Sequence, residues 1–140
     1  MTKEIDKGEG YDVGYDCRVP DPKLIYLICS VRHASASATA EAERYVAHME
    51  FFGHTIMWPS RDVEQDDPTG VGIVDTEIQM IKDCDEVHIL WDKNSKGSHF
   101  DLGVALALDK RLVFVNSVRP DDEGKSYQKV ILAKILKQKP

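Results

Sequence analysis

Two carboxylates bracket one turn of this chain. Val87-His88-Ile89-Leu90-Trp91 reads as a short apolar strand that stops at Asp92, followed by a turn through Gly97 and a helix opening at Ser98 with Asp101 in its first turn. In open parallel sheets, ligands bind just past the carboxyl ends of the strands. The segment therefore aims Asp92 and Asp101 at the place where such a sheet keeps its chemistry. A helix dipole favours the ionised form of an acid in the first turn, which suits a carboxylate nucleophile. The spacing Ser98-x-x-Asp101 also fits a capping box, in which the acid merely returns to the amide of the capping residue. Spacing alone leaves the two open.

A second cluster follows an earlier apolar run. Cys29-Ser30-Val31-Arg32-His33-Ala34-Ser35-Ala36-Ser37-Ala38-Thr39 joins a strand to a helix. Small residues admit a ligand to the backbone, hydroxyls donate hydrogen bonds, and a helix N-terminus attracts anions. Arg32 adds a fork that fits a phosphate, and His33 could help hold a dianion. The plainer reading is an N-cap cluster, because serine and threonine are common at helix starts. A third acid, Glu77, precedes the inward-facing Ile78 and lies at the edge of a buried stripe.

The elements that must position these groups alternate. Leu24 to Cys29 is a continuous apolar run, as in a strand buried on both faces. Residues 39–52 place Ala42, Tyr45, Val46, Met49 and Phe52 on one helical face, with Gly53 as the C-cap. A strand over 55–58 closes at Pro59, and 59–69 reads as a polar loop. Residues 71–82 form a helix with Val71, Val74, Ile78 and Ile81 inward; strands follow over 87–91 and 112–115, and an amphipathic helix over 127–136. This alternation predicts an α/β three-layer sandwich, flavodoxin-like or Rossmann-like, with a parallel sheet of four or five strands. Residues 1–22, rich in glycine, proline and charge, read as a flexible N-terminal arm, and 23–140 as one α/β domain. Gly8-Glu9-Gly10 through Gly14 is only faintly like a dinucleotide loop, since no strand precedes it.

Composition narrows the classes. With 140 residues, 42% hydrophobic and 30% charged, the chain can build one soluble domain. A formal charge of −6 argues against a nucleic-acid polymer as partner. No apolar run is long enough to span a membrane. Cys17, Cys29 and Cys84 lack C-x-x-C spacing and read as reduced thiols of a cytoplasmic protein. The histidines at 33, 48, 54, 88 and 99 show no metal-ligand spacing.

The chain resembles the nucleoside 2-deoxyribosyltransferase superfamily, and within it the 2'-deoxynucleoside 5'-monophosphate N-glycosidases. Ile25-Tyr26-Leu27-Ile28-Cys29-Ser30-Val31-Arg32 is similar to the family's first strand and Ser-x-Arg phosphate loop. Asp85 through Trp91, then Gly97, then Asp101-Leu102-Gly103-Val104-Ala105-Leu106-Ala107-Leu108-Asp109-Lys110 is similar to its strand, turn and E-L-G-x-A helix. The family's glutamate nucleophile is Asp101 here, and its helical aspartate is Glu77.

The resemblance implies hydrolysis of the N-glycosidic bond of a nucleoside 5'-monophosphate. Asp101 would attack C1' through an oxocarbenium-like transition state, held by Tyr26. Glu77 or Asp92 would orient the sugar or handle the proton. Ser30, Arg32, His33, Gly97 and Ser98 would line the substrate and phosphate site, and Ser126 would reach the phosphate from a neighbouring subunit. No metal or organic cofactor is implied, and the expected assembly is a homodimer or higher homo-oligomer around a small nucleotide or nucleoside. The alternatives are base exchange by a deoxyribosyltransferase and a non-catalytic nucleotide-sensing domain. A phosphoacceptor receiver shares the architecture, but Cys29 to Thr39 carries none of the acids it needs after its first strand.

Overall fold

The structure is a computed structural model that describes residues 21–32, 34–116 and 124–139. The proposed arm (except Asp21 and Pro22), Cys17, the glycine run at 8–14 and His33 lie outside the described residues.

Four strands, β1 (Leu24–Ile28), β2 (Thr55–Met57), β3 (Glu86–Ile89) and β4 (Arg111–Phe114), form one parallel sheet in the order β2-β1-β3-β4. Register sets Tyr26 opposite Met57 on one side and Val87 on the other. Five helices complete the described chain: α1 (Ala36–Phe51), α2 (Pro59–Asp62), α3 (Val71–Asp83), α4 (Lys96–Ala107) and α5 (Tyr127–Lys137). The expected parallel α/β sandwich is present, with four strands among the described residues.

Strand alternation divides the core into two layers. Ile25, Leu27, Ile56, Leu90 and Val115 pack with Ala42, Tyr45, Val46 and Met49 of α1. Tyr26, Ile28, Val87, Ile89, Leu112 and Phe114 pack with Ile81 of α3, Leu102 and Ala105 of α4, and Ile131 of α5. Chain order reverses across β1: the chain runs from β1 to β2 on one side, then crosses back to β3 on the other. The crevice beyond the ends of β1 and β3 is thus a topological switch point, where open α/β sheets bind ligands.

Several boundaries differ from the sequence expectation for local reasons. Helix α1 starts three residues earlier because Ser35 caps it, its side chain accepting from the Ala38 amide. Gly53 follows the C-cap with φ +94°, a left-handed conformation that glycine adopts freely. The loop expected from residue 59 opens instead with a helical turn. Pro59 sits at its start, and Oδ2 of Asp62 accepts from the Trp58 amide at 2.8 Å. Val71 is not inward but 60% exposed. It opens α3 before the buried stripe begins, and Oδ2 of Asp67 takes the Ile73 amide at 3.0 Å beside it.

Candidate functional site

Helix α4 begins at Lys96, capped by Ser95, whose side chain accepts from the Ser98 amide. This corrects the capping-box expectation. Ser98 is not the cap but a fully buried residue of the first turn, and Asp101 falls in the second turn. Asp101 therefore cannot tie down its own helix start. Its Oδ2 accepts from the hydroxyl of Tyr26 at 2.9 Å, across 75 residues of sequence.

The stripe of α3 that faces inward includes Glu77, which stands against Asp101 and interacts with its carboxyl. Three elements thus deliver one group each: Tyr26 from β1, Glu77 from α3 and Asp101 from α4. Asp101 is 5% exposed, and its Oδ1 receives no hydrogen bond among the described residues. Two ionised carboxylates cannot bond each other, whereas a proton on either one allows it.

Electrostatics overturns the expectation of a readily ionised Asp101. Burial first, and the neighbouring Glu77 charge second, push its pKa up to about 8, against the Tyr26 hydrogen bond. Burial also raises Glu77. Desolvation and like charge outweigh a helix dipole whose reach ends within the first turn. Tyr26 is raised as well, by burial and then by Asp101, so it remains a hydrogen-bond donor.

A cleft of about 390 Å³ opens at the switch point. Cys29 and Ser30 line it from the end of β1, Leu90, Trp91 and Asp92 from the end of β3, and Lys93, Glu41 and Gln128 from the surrounding elements. Asn116 braces its rim, its Oδ1 accepting from the Trp91 amide at 3.1 Å and its Nδ2 donating to the Trp91 carbonyl at 3.2 Å. Cys29 feels the charges of Asp101 and Glu77, although neither acid nor Tyr26 is among the residues lining this cleft. Burial pushes the Cys29 thiol up to about 12, so it stays protonated. Cys84, raised to about 11 chiefly by burial, donates to the Ile81 carbonyl at 3.1 Å. Both cysteines are free and buried, as expected of reduced thiols.

The other sequence candidates scatter. Asp92 reaches the cleft, but its Oδ1 accepts from the Asn94 amide at 2.9 Å. Arg32 is exposed and lines a different depression, with Asp67, Thr69 and Gly70. Ser30 lines the switch-point cleft, and Arg32 lines the depression beside the loop that precedes α3. Gly97 is exposed in the first turn of α4, with open space where a side chain would stand. Ser126 caps α5, its side chain accepting from the Lys129 amide at 3.2 Å. Lys93, Asn116 and Gln128 were missed. Their only sequence signal was position, just past the ends of β3 and β4 or at the start of α5. Among the described residues, no group of three or more His, Cys, Asp or Glu side chains is placed to hold a metal ion. No described helix is long and apolar enough to cross a membrane.

Neither a protein-family model nor a curated protein matches the sequence. Among solved structures, a match with a TM-score of 0.54 and 27% identity covers 71% of this chain and 68% of the other. The chain is similar to a 2-desoxiribosyltransferase from Leishmania mexicana. This likeness supports the fold and the superfamily resemblance carried by the β1 and α4 motifs.

Proposed function

We propose that the protein breaks the N-glycosidic bond of a (deoxy)nucleoside 5'-monophosphate by way of a carboxylate nucleophile, releasing the base and leaving the sugar phosphate. The observation that carries this reading is the acid pair: Asp101 and Glu77 share one buried site with the Tyr26 hydroxyl, and their charges are felt at Cys29, a residue of the cleft wall. Paired carboxyls with raised pKa values at a ligand-binding crevice are suited to acid–base and covalent glycosyl chemistry. One carboxylate attacks C1' as the bond to the base breaks and its electron pair leaves with the base. The other carboxyl supplies a proton to that base, then activates the water that frees the sugar. Tyr26 fixes the orientation of Asp101 throughout. In the cleft, Ser30 and Lys93 are the groups suited to a 5'-phosphate. Arg32 would join them only if a ligand spans both depressions.

The solved-structure likeness gives a specific reason to keep base exchange as the second reading, with an acceptor base replacing water. The proposal includes a homo-oligomer, in keeping with the exposure of Phe100 in α4 and of Leu108 just after it.

Incubation with a panel of ribo- and deoxyribonucleoside monophosphates, with and without a second free base, distinguishes these outcomes by chromatography. Free base and sugar phosphate support hydrolysis, and a new nucleotide carrying the added base supports transfer. Absence of both, with a nucleotide raising the melting temperature, points to a binding domain, since a ligand held only by the native state stabilises it.

A further inference from the structure

We infer that the protein carries a second ligand site, at the end of the sheet away from the switch point, and that it binds a phosphate chain such as a di- or triphosphate.

The site is a depression of about 380 Å³ between the start of β4 and the last turn of α5. Lys110 and Arg111 line it at the start of β4, and Lys134, Lys137 and Lys139 line it from the end of α5. Asp109 is the one carboxylate among the described residues that line it. Five cations thus converge in a chain whose formal charge is −6. Arg111 opens β4, whereas Asn116, at the rim of the switch-point cleft, lies five residues further on. At the rise of a strand that separation is roughly 16 Å, so the two sites are distinct.

Helix electrostatics accounts for part of this charge. A basic last turn answers the negative end of the helix dipole, which suits Lys134 and Lys137. It does not account for cations brought against them from a strand, or for Lys139 beyond the helix. Like charges three residues apart on one helix also repel. Two of the five have structural duties. Lys110 donates through Nζ to the carbonyls of Lys82 and Cys84 at 2.8 Å each. Arg111 faces Glu86 at 3.9 Å and donates to the Lys139 carbonyl. The ammonium groups of Lys134, Lys137 and Lys139 make no hydrogen bond or ion pair among the described residues. Three uncompensated charges in one hollow call for an anion.

The hollow is held in shape. Oε1 of Gln138 accepts from the Leu112 amide, and its Nε2 donates to the Leu112 carbonyl at 2.9 Å. With the bond from Arg111 to Lys139, this clamps the end of α5 to the start of β4. A preformed site spares the ligand a cost of ordering. Lysine meets a phosphate as a point charge, not as a planar fork, so it reads charge more than shape. No aromatic side chain is among the described residues lining the depression, so none of them stacks on a base. The site therefore selects for the length of the phosphate chain and is indifferent to a nucleoside attached to it.

Isothermal titration of the intact protein tests this with orthophosphate, tripolyphosphate, adenosine triphosphate and uridine triphosphate. At about 0.15 M salt, tripolyphosphate is expected to bind with a Kd below about 0.5 mM, and orthophosphate at least ~tenfold more weakly. The two nucleoside triphosphates should agree within about threefold. Lys134→Ala/Lys137→Ala should weaken tripolyphosphate at least ~tenfold, and Lys139→Ala, which leaves α5 untouched, about threefold. Lys93→Ala, in the cleft, should leave the affinity within about twofold of wild type, since its charge is more than a Debye length away. Thermal melts without ligand establish that each variant is folded. A weaker tripolyphosphate Kd, a double variant that binds like wild type, or an equal loss in Lys93→Ala overturns the inference. A larger difference between the two nucleoside triphosphates means that a base is read, and overturns the assignment to a phosphate chain. None of these readouts depends on base release, so this site and the glycosidic reading stand or fall separately.

Discussion

On one face of the sheet, the hydroxyl of Tyr45 meets Nδ1 of His88, and Nε2 of His88 meets Oε1 of Glu86 at 3.0 Å. On the other face, the hydroxyl of Tyr26 meets Asp101, whose neighbour is a second carboxyl. Both clusters are buried, and each joins a strand residue to a helix residue through a tyrosine. They differ in balance. Both His88 ring nitrogens are engaged, and a carboxylate at Glu86 places the proton on Nε2, leaving Nδ1 to accept from Tyr45. Arg111 approaches Glu86 from the surface at 3.9 Å. Opposite signs and matched donors make that chain a structural device. The Tyr26 cluster sets like charges together and leaves Oδ1 of Asp101 and the hydroxyl of Ser98 unpartnered among the described residues. Satisfied polar groups hold a fold together, and unsatisfied ones are where it keeps its chemistry.

The largest effect expected from this contrast lies on the balanced side. His88→Ala removes the buried ring that engages both the Tyr45 hydroxyl and the Glu86 carboxyl and leaves a cavity between them. Losing two buried hydrogen bonds and opening a cavity costs about 2–5 kcal/mol. Urea denaturation should show that loss, with catalysis per folded molecule unchanged. A cost below about 1 kcal/mol would mean that the chain is ornamental and that satisfaction does not distinguish the two clusters.

Periodicity made most of the fold legible, because apolar runs and helical stripes follow directly from which face is buried. The β1 run, the α1 face and Gly53 all fall where their patterns place them. The site was legible only in part. Tyr26, Glu77 and Asp101 were identifiable as candidates, but their spacing says nothing of desolvation, so the sign of the Asp101 shift was hidden. The cap was misread because Ser95 and Ser98 both precede the apolar stretch, and only the backbone decides which one accepts. Spacing likewise does not say that Ser30 and Arg32, two residues apart, line different depressions.

Acid and alkali should tilt the two clusters in opposite directions. The folded pKa of Asp101 is raised from 3.8 to about 8, so the native state holds its proton more tightly than the unfolded chain. The stability this contributes is fully present below about pH 4 and lost as pH rises toward 8 and beyond, by a few kcal/mol at most. The pKa of His88 is lowered from 6.5, mainly by burial, against Glu86. The unfolded chain therefore binds the extra proton first, and stability falls as pH drops below about 6.5. Nearby His54 opposes protonation of His88 further. Melting temperature should thus fall from about pH 4, level off where the two opposite slopes overlap below about pH 6.5, and fall again toward pH 8. Asp101→Asn should flatten the fall near pH 4 and the fall above pH 6.5, leaving only the His88 slope, in which stability drops as pH falls below about 6.5. If it flattens neither, Asp101 is ionised without penalty, and the imbalance assigned to its cluster is absent.

The smallest effect sharpens the comparison most. Ser98 is fully buried one turn before Asp101, and its hydroxyl has no partner among the described residues. Replacing a satisfied buried hydroxyl costs stability, whereas removing an unsatisfied one releases a desolvation penalty of about 1 kcal/mol. Ser98→Ala should therefore be neutral or slightly stabilising in urea, because Ser95 still accepts from the amide at position 98. Its cost should appear in substrate binding instead, as a raised KM with little change in kcat, if the hydroxyl awaits a polar group of the ligand. A destabilisation above about 1 kcal/mol would show that the hydroxyl is bonded in the folded protein. The acid pair would then be an isolated exception rather than part of a surface left unpaired for a ligand.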